Sequence, residues 1–108
     1  MSNKIIIAID AMGGDDSPHK IIKGISIHSK TTDNVFYKIF GNKNLIDPLV
    51  KKFNISNEVF QIIHTDKVVQ GEDTALTAAK RGKDTSLWLS IESLKHDEAH
   101  AIVSAGNT

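Results

Sequence analysis

The sequence predicts an α/β protein with a mainly parallel sheet and helices on both faces, in three layers. Two observations carry this expectation. Short β-branched runs alternate with stretches of helical periodicity along the 108 residues. The first run, KIIIAID (4–10), is apolar without alternation, as a strand covered on both faces must be. A third observation bears on function. Glycine-bearing polar segments leave the first and last runs, DAMGGDD (10–16) and SAGNT (104–108), and ligands of such sheets gather beyond the carboxyl ends of the strands.

The elements follow in order. Ser17 and Pro18 read as the cap and first residue of a helix. PHKIIKGISIHSK (18–30) then sets Ile21, Ile22 and Ile25 at helical spacing. VFYKIF (35–40) is a second strand, ended by Gly41. NLIDPLVKKF (44–53) is a helix provided that Pro48 falls in its first turns, where a missing N–H is tolerated. EVFQII (58–63) is a third strand, and EDTALTAAKR (72–81) a helix stopped by Gly82. KDTSLWLSIESLKHDEA (83–99) is a further helix, capped by Asp84 or Thr85, with Leu87, Ile91 and Leu94 as its apolar stripe. HAIVSAG (100–106) is the last strand. A strand, a glycine, Asn107 and Thr108 normally open another helix. Residues 1–108 are therefore expected to be the N-terminal part of a single larger α/β domain.

Composition narrows the function classes. Apolar residues make up 40% and charged residues 24%, an ordinary globular mix. Basic and acidic residues balance at 13 each, so no net field draws the chain to nucleic acid or an anionic membrane. The absence of cysteine removes disulfides, thiolate ligands and a cysteine nucleophile. The apolar run in MSNKIIIAID is too short for a signal peptide or a membrane span, so a cytoplasmic protein is expected. His19, His28, His64, His96 and His100 show no paired spacing that suggests a metal site, and none is expected. Each reads first as solvated or cap-satisfied, although His64 ends a strand and His19 lies near the glycine turn. Trp88 reads as a packing residue rather than a base-stacking one.

The glycine turn has two readings. Main-chain N–H groups of Gly13 and Gly14, beside a helix N-terminus, can bind phosphate without any lysine. The same residues suit a tight strand-to-helix turn that needs positive φ. Neither a Walker sequence nor Gly-x-Gly-x-x-Gly is present. Asp10, Asp15 and Asp16 would repel a phosphate placed beside them. They brace the loop by accepting N–H groups, orient basic side chains, or hold Mg²⁺, and bracing is the first reading. In SAGNT, the neutral groups of Ser104, Asn107 and Thr108 suit an oxyanion, and Gly106 leaves access open. Capping of a following helix is the alternative. In KDTSLW (83–88), Asp84 and Thr85 fit a cap, Ser86 lies in the first turn, and Arg81 or Lys83 either reach an anion or are solvated.

Three segments, IAIDAMGGDDSP (7–18), KDTSLW (83–88) and VSAGNT (103–108), resemble the PlsX family of bacterial phosphate acyltransferases in order and spacing. The resemblance covers the whole chain, and the family's chains are considerably longer. Two departures stand out. Thr74-Ala75 replaces a frequent Ser-Pro, and Lys-Asp-Thr-Ser (83–86) replaces a preferred Lys-Asp-Ser-Ser. A proline lost at a helix start removes preorganisation rather than chemistry.

The resemblance implies a Rossmann-like architecture akin to phosphotransacetylase and isocitrate-dehydrogenase-like folds. It implies transfer of a fatty acyl group from acyl carrier protein to inorganic phosphate, without a cofactor, in phospholipid synthesis. It further implies a homodimer that associates peripherally with the membrane through regions beyond residue 108. On the matched positions, Asn107 is the catalytic candidate, and Gly13, Gly14, Asp15, Ser104, Gly106 and Thr108 form the phosphate cradle. Asp10, Lys83, Ser86 and His64 are further candidates. Phosphate is itself anionic and a thiol leaves readily, so such an enzyme needs positioning and oxyanion stabilisation rather than its own nucleophile. Two other readings stay open: a phosphotransacetylase-like enzyme using acyl-CoA, and a non-catalytic phosphate-binding α/β module. In either case the 108-residue segment is expected to be inactive alone.

Overall fold

A computed structural model describes residues 4–14, 16–65 and 85–104. The described elements are β1 (Ile5–Asp10), α1 (His19–Thr31), β2 (Val35–Gly41), α2 (Lys43–Lys52), β3 (Phe60–His64), α3 (Ser86–Lys95) and β4 (Ala101–Ser104). The helix expected over 72–81, its Gly82 stop, Asp84, and residues 105 and 106 of the last strand lie outside the described residues.

The sheet is parallel throughout, in the order β3-β2-β1-β4. That is the order of the first four strands of a doubly wound sheet. Parallel neighbours need crossover connections, and these are right-handed. Stepping from β1 to β2 to β3 therefore keeps α1 and α2 on one face, where they touch each other. The return to the far side of β1 puts α3 on the opposite face, against β1, β2 and β4. Side-chain alternation agrees. Ile7, Ile9, Tyr37, Ile39 and Ile62 pack with Ile22 and Ile25 of α1 and Ile46 and Val50 of α2. Ile6, Ala8, Phe40 and Ile63 pack with Leu89 and Ala99. The result is the expected three layers. On the α1 face, buried Tyr37 bonds His28 Nδ1 at 2.5 Å, and burial pushes the Tyr37 phenol above its ordinary pKa.

Most expected boundaries agree within two residues, and two local readings need correction. Ser17 does not cap α1. The helix starts at His19, with Pro18 in the cap position and no side-chain cap bond. The Ser17 hydroxyl instead donates back to the Gly13 carbonyl, while the Asp16 carbonyl takes the Lys20 N–H at 2.9 Å. The hydroxyl thus closes the turn that precedes the helix. α2 starts on Asn42, whose side chain accepts the Asn44 N–H at 3.0 Å, and Pro48 falls in its second turn.

The second correction concerns α3. Ile91 and Leu94 of the expected stripe are 44% and 37% exposed, whereas Ser86, Ser90 and Ser93 are buried. Two of the serines are satisfied locally: Ser90 Oγ donates to the Ser86 carbonyl at 2.7 Å, and Ser93 Oγ to the Ser90 carbonyl at 2.8 Å. Small side chains with their hydroxyls turned onto the helix backbone let it lie close to the sheet. Leu89 supplies the apolar contact. Thr85 is the cap, as one of the two residues expected, and accepts the Trp88 N–H at 3.2 Å. Thr85→Ala is expected to cost about 1 kcal/mol of stability, read from the urea midpoint, because a buried cap is lost. Thr85→Ser should recover most of it.

Candidate functional site

The strand order creates a switch point. The chain leaves β1 for α1 on one face, while β1's other neighbour, β4, is reached from α3 on the opposite face. Ligands of open α/β sheets bind in the crevice that forms at such a point. Asp10 and Ser104 face each other in register there, at the carboxyl ends of β1 and β4. The alternation of β1 sends Asp10 to the α3 face, together with Ile6 and Ala8.

Asp10 is 2% exposed. A carboxylate so enclosed is costly unless donors meet it, and three do. Asp10 Oδ1 accepts the Ser86 hydroxyl at 2.5 Å and the Met12 N–H at 3.2 Å. Asp10 Oδ2 accepts the Ser104 hydroxyl at 2.7 Å. The glycine turn, the first turn of α3 and the end of β4 thus meet on one side chain. Among the described residues, no group of three or more His, Asp or Glu side chains converges as a metal site would require.

The turn has the positive φ expected of it. Gly14 has φ 83°, a conformation in which glycine avoids the Cβ clash, and Asp16 follows with φ 62°. The Ala11 N–H is held by the Phe40 carbonyl at 3.0 Å, and the Met12 N–H by Asp10. No acceptor among the described residues takes the N–H of Gly13 or Gly14. Buried main-chain donors are rarely left without an acceptor, and Gly13 is buried. Two adjacent N–H groups ahead of a helix N-terminus are donors that an anion can take.

The other candidates divide as follows. Ser86 joins the Asp10 cluster directly. Ser104 joins it too, but its hydroxyl proton is directed to Asp10 rather than to the open crevice. His64 is not brought there. It lies on β3, two strands from β1, and its Nδ1 accepts the Lys43 N–H at the start of α2. Asp15, Lys83, Gly106, Asn107 and Thr108 lie outside the described residues. His19 packs edge-on to Phe53 with ring centroids 5.3 Å apart. His96 bonds Glu92 at 2.9 Å, Trp88 Nε1 bonds the same carboxylate at 3.0 Å, and His100 Nδ1 takes the Ile6 N–H at 2.9 Å.

Sequence reasoning named Asp10, Ser86 and Ser104 separately but missed that they form one unit. The available signal was a carboxylate closing an otherwise apolar strand, which demands donors from elsewhere in the chain. No helix among the described residues is long and apolar enough to cross a membrane.

The chain as a whole is similar to known proteins. The profile of a family described as "Fatty acid synthesis protein" matches residues 5–108. A phosphate acyltransferase of Pelagibacter ubique is 51% identical over 108 residues, covering all of this chain and 32% of that protein. A phosphate acyltransferase of Rhodospirillum rubrum is 42% identical over the same length, covering 31% of its own. One from Pediococcus pentosaceus is 39% identical over 102 residues, covering 94% of this chain and 28% of that protein. The chain spans about a third of the length of these curated relatives.

Proposed function

The chain belongs to the fatty acid synthesis protein family, and from that premise we propose that the full-length protein carries a fatty acyl group from acyl carrier protein to inorganic phosphate. Residues 1–108 are then the N-terminal part of one larger α/β domain, and the relatives' shared name, phosphate acyltransferase, supports the reading. The structural observation that carries it is the pair of N–H groups at Gly13 and Gly14, without a described acceptor, beside the switch point.

The reaction follows from simple chemistry. A phosphate oxygen adds to the thioester carbonyl carbon, and the carbonyl electron pair moves onto oxygen. The tetrahedral intermediate collapses, the carbon–sulfur bond breaks, and acyl phosphate and a thiolate form. The thiolate then takes up the proton that phosphate releases. The protein's task is to hold phosphate against the carbonyl and to stabilise the oxyanion. In this reading Gly13 and Gly14 hold phosphate with the main-chain N–H of Asp15, Gly106 and Thr108, and Asn107 donates to the oxyanion. Lys83 is a further contact to the anion. The proposal includes a cytoplasmic homodimer associated peripherally with the membrane through segments beyond residue 108.

Full-length protein supplied with acyl-acyl carrier protein and phosphate is expected to yield acyl phosphate and free carrier thiol. Turnover with acetyl-CoA instead would assign it to phosphotransacetylase chemistry. Phosphate-induced amide shifts at Gly13 and Gly14 without turnover would leave only a binding module. Asn107→Ala is expected to cut phosphate-dependent turnover about tenfold or more, and unchanged kinetics would remove Asn107 from the site.

A further inference from the structure

Asp10 takes no part in the chemistry above, yet it is a charged side chain enclosed in the described core. Its three donors among the described residues are neutral: the Met12 N–H and the hydroxyls of Ser86 and Ser104. Buried charge met, among the described residues, by neutral donors is an expensive way to close a strand, and an apolar residue would pack there at lower cost. What the carboxylate does uniquely is join segments. Met12 opens the glycine turn, Ser86 opens α3, and Ser104 closes β4.

We propose that Asp10 is the positioning residue of the phosphate site, acting through Ser104 and Met12 rather than by contact with the anion. The inference rests on the phosphate-binding reading given above. Two carboxylate oxygens fix the spacing between the glycine turn and the β4 end, the two segments that flank the switch point. They also set the polarity of the crevice floor. The hydroxyl protons of Ser86 and Ser104 are directed to Asp10 rather than to phosphate, and the carboxylate's charge is spread over its own donors.

Steady-state kinetics of the full-length protein test this. Asp10→Asn keeps the shape and can still accept the Met12 N–H, but its amide nitrogen cannot accept from a serine hydroxyl. It is expected to raise the KM for phosphate by roughly 10- to 100-fold, with the KM for the acyl carrier substrate unchanged. Ser104→Ala should raise the phosphate KM less and lower the melting temperature modestly, since the enclosed carboxylate loses one donor. The double variant should be no worse than Asp10→Asn alone, because the two residues act as one unit. An unchanged phosphate KM in Asp10→Asn, or effects that multiply in the double variant, overturns the proposal. If Asp10→Asn does not fold, Ser104→Ala decides: an unchanged phosphate KM overturns it. Absence of phosphate-dependent turnover in the unsubstituted protein would instead overturn the functional reading, and this proposal with it.

Discussion

Ile39→Ala is expected to lower the free energy of unfolding by about 2–5 kcal/mol. Ile39 is fully enclosed, 0% exposed, in the middle of β2. Its register partners are Ile9 of β1 and Ile62 of β3, so three isoleucines form one row across the sheet. Ile22, Ile25, Ile46 and Val50 close over that face from α1 and α2. Removing three carbons forfeits their transfer free energy and leaves a void that two strands and two helices must shift to fill. Ile39→Val should cost about 0.5–1.5 kcal/mol at the same place. Urea unfolding of the full-length protein measures both. A cost for Ile39→Ala below that of Ile39→Val would mean that the face does not pack as described.

Gly41→Val is the second large effect, and it joins stability to the site. A Cβ on Gly41 would lie 2.8 Å from Ile46 Cδ1 and 2.9 Å from Met12 Cγ. Ile46 is fully buried and has little room to yield. Overpacking of this kind costs about 1–3 kcal/mol, and the branched methyls of valine put the cost at the upper end. The obstacle is spatial, and Gly41→Ala should show a smaller part of it. Met12 opens the glycine turn, so displacing it should also raise the KM for phosphate. A melting temperature equal to that of the unsubstituted protein would contradict the tight contact. An unchanged phosphate KM alongside a lowered melting temperature would separate Met12 from the site.

The architecture was legible because it depends on periodicity. KIIIAID and VFYKIF are continuous enough to be inner strands, and the intervening spans repeat at helical spacing. The burial of α1 through Ile22 and Ile25 follows directly from that spacing. α3 was misread because its periodicity offers two faces. Hydropathy favours Leu87, Ile91 and Leu94, but proximity to the sheet and to Asp10 selects the serine face. Nothing within SLWLSIESLK alone reveals a partner 76 residues earlier. Ser17 was misread for a related reason, since a serine before proline fits a cap as well as it fits a turn closed on Gly13. At the site, glycine chemistry announced the turn, and positive φ at Gly14 bears it out. The assembly around Asp10 was illegible because its members meet only once the sheet has formed.

That late meeting has a consequence for biosynthesis. β1 emerges first, yet one of its edges pairs with β4, and Asp10 and Ser104 are 94 residues apart. At ribosomal speeds of roughly 5–20 residues per second, the nascent chain carries that open edge for on the order of ten seconds. Through that interval the β1–α1–β2–α2–β3 portion can associate locally, while Asp10 waits in water for the hydroxyls that will later enclose it. Among the four described strands, β1 therefore keeps one edge open until β4 arrives, and its carboxylate is enclosed only after β1, β2 and β3 can already have paired.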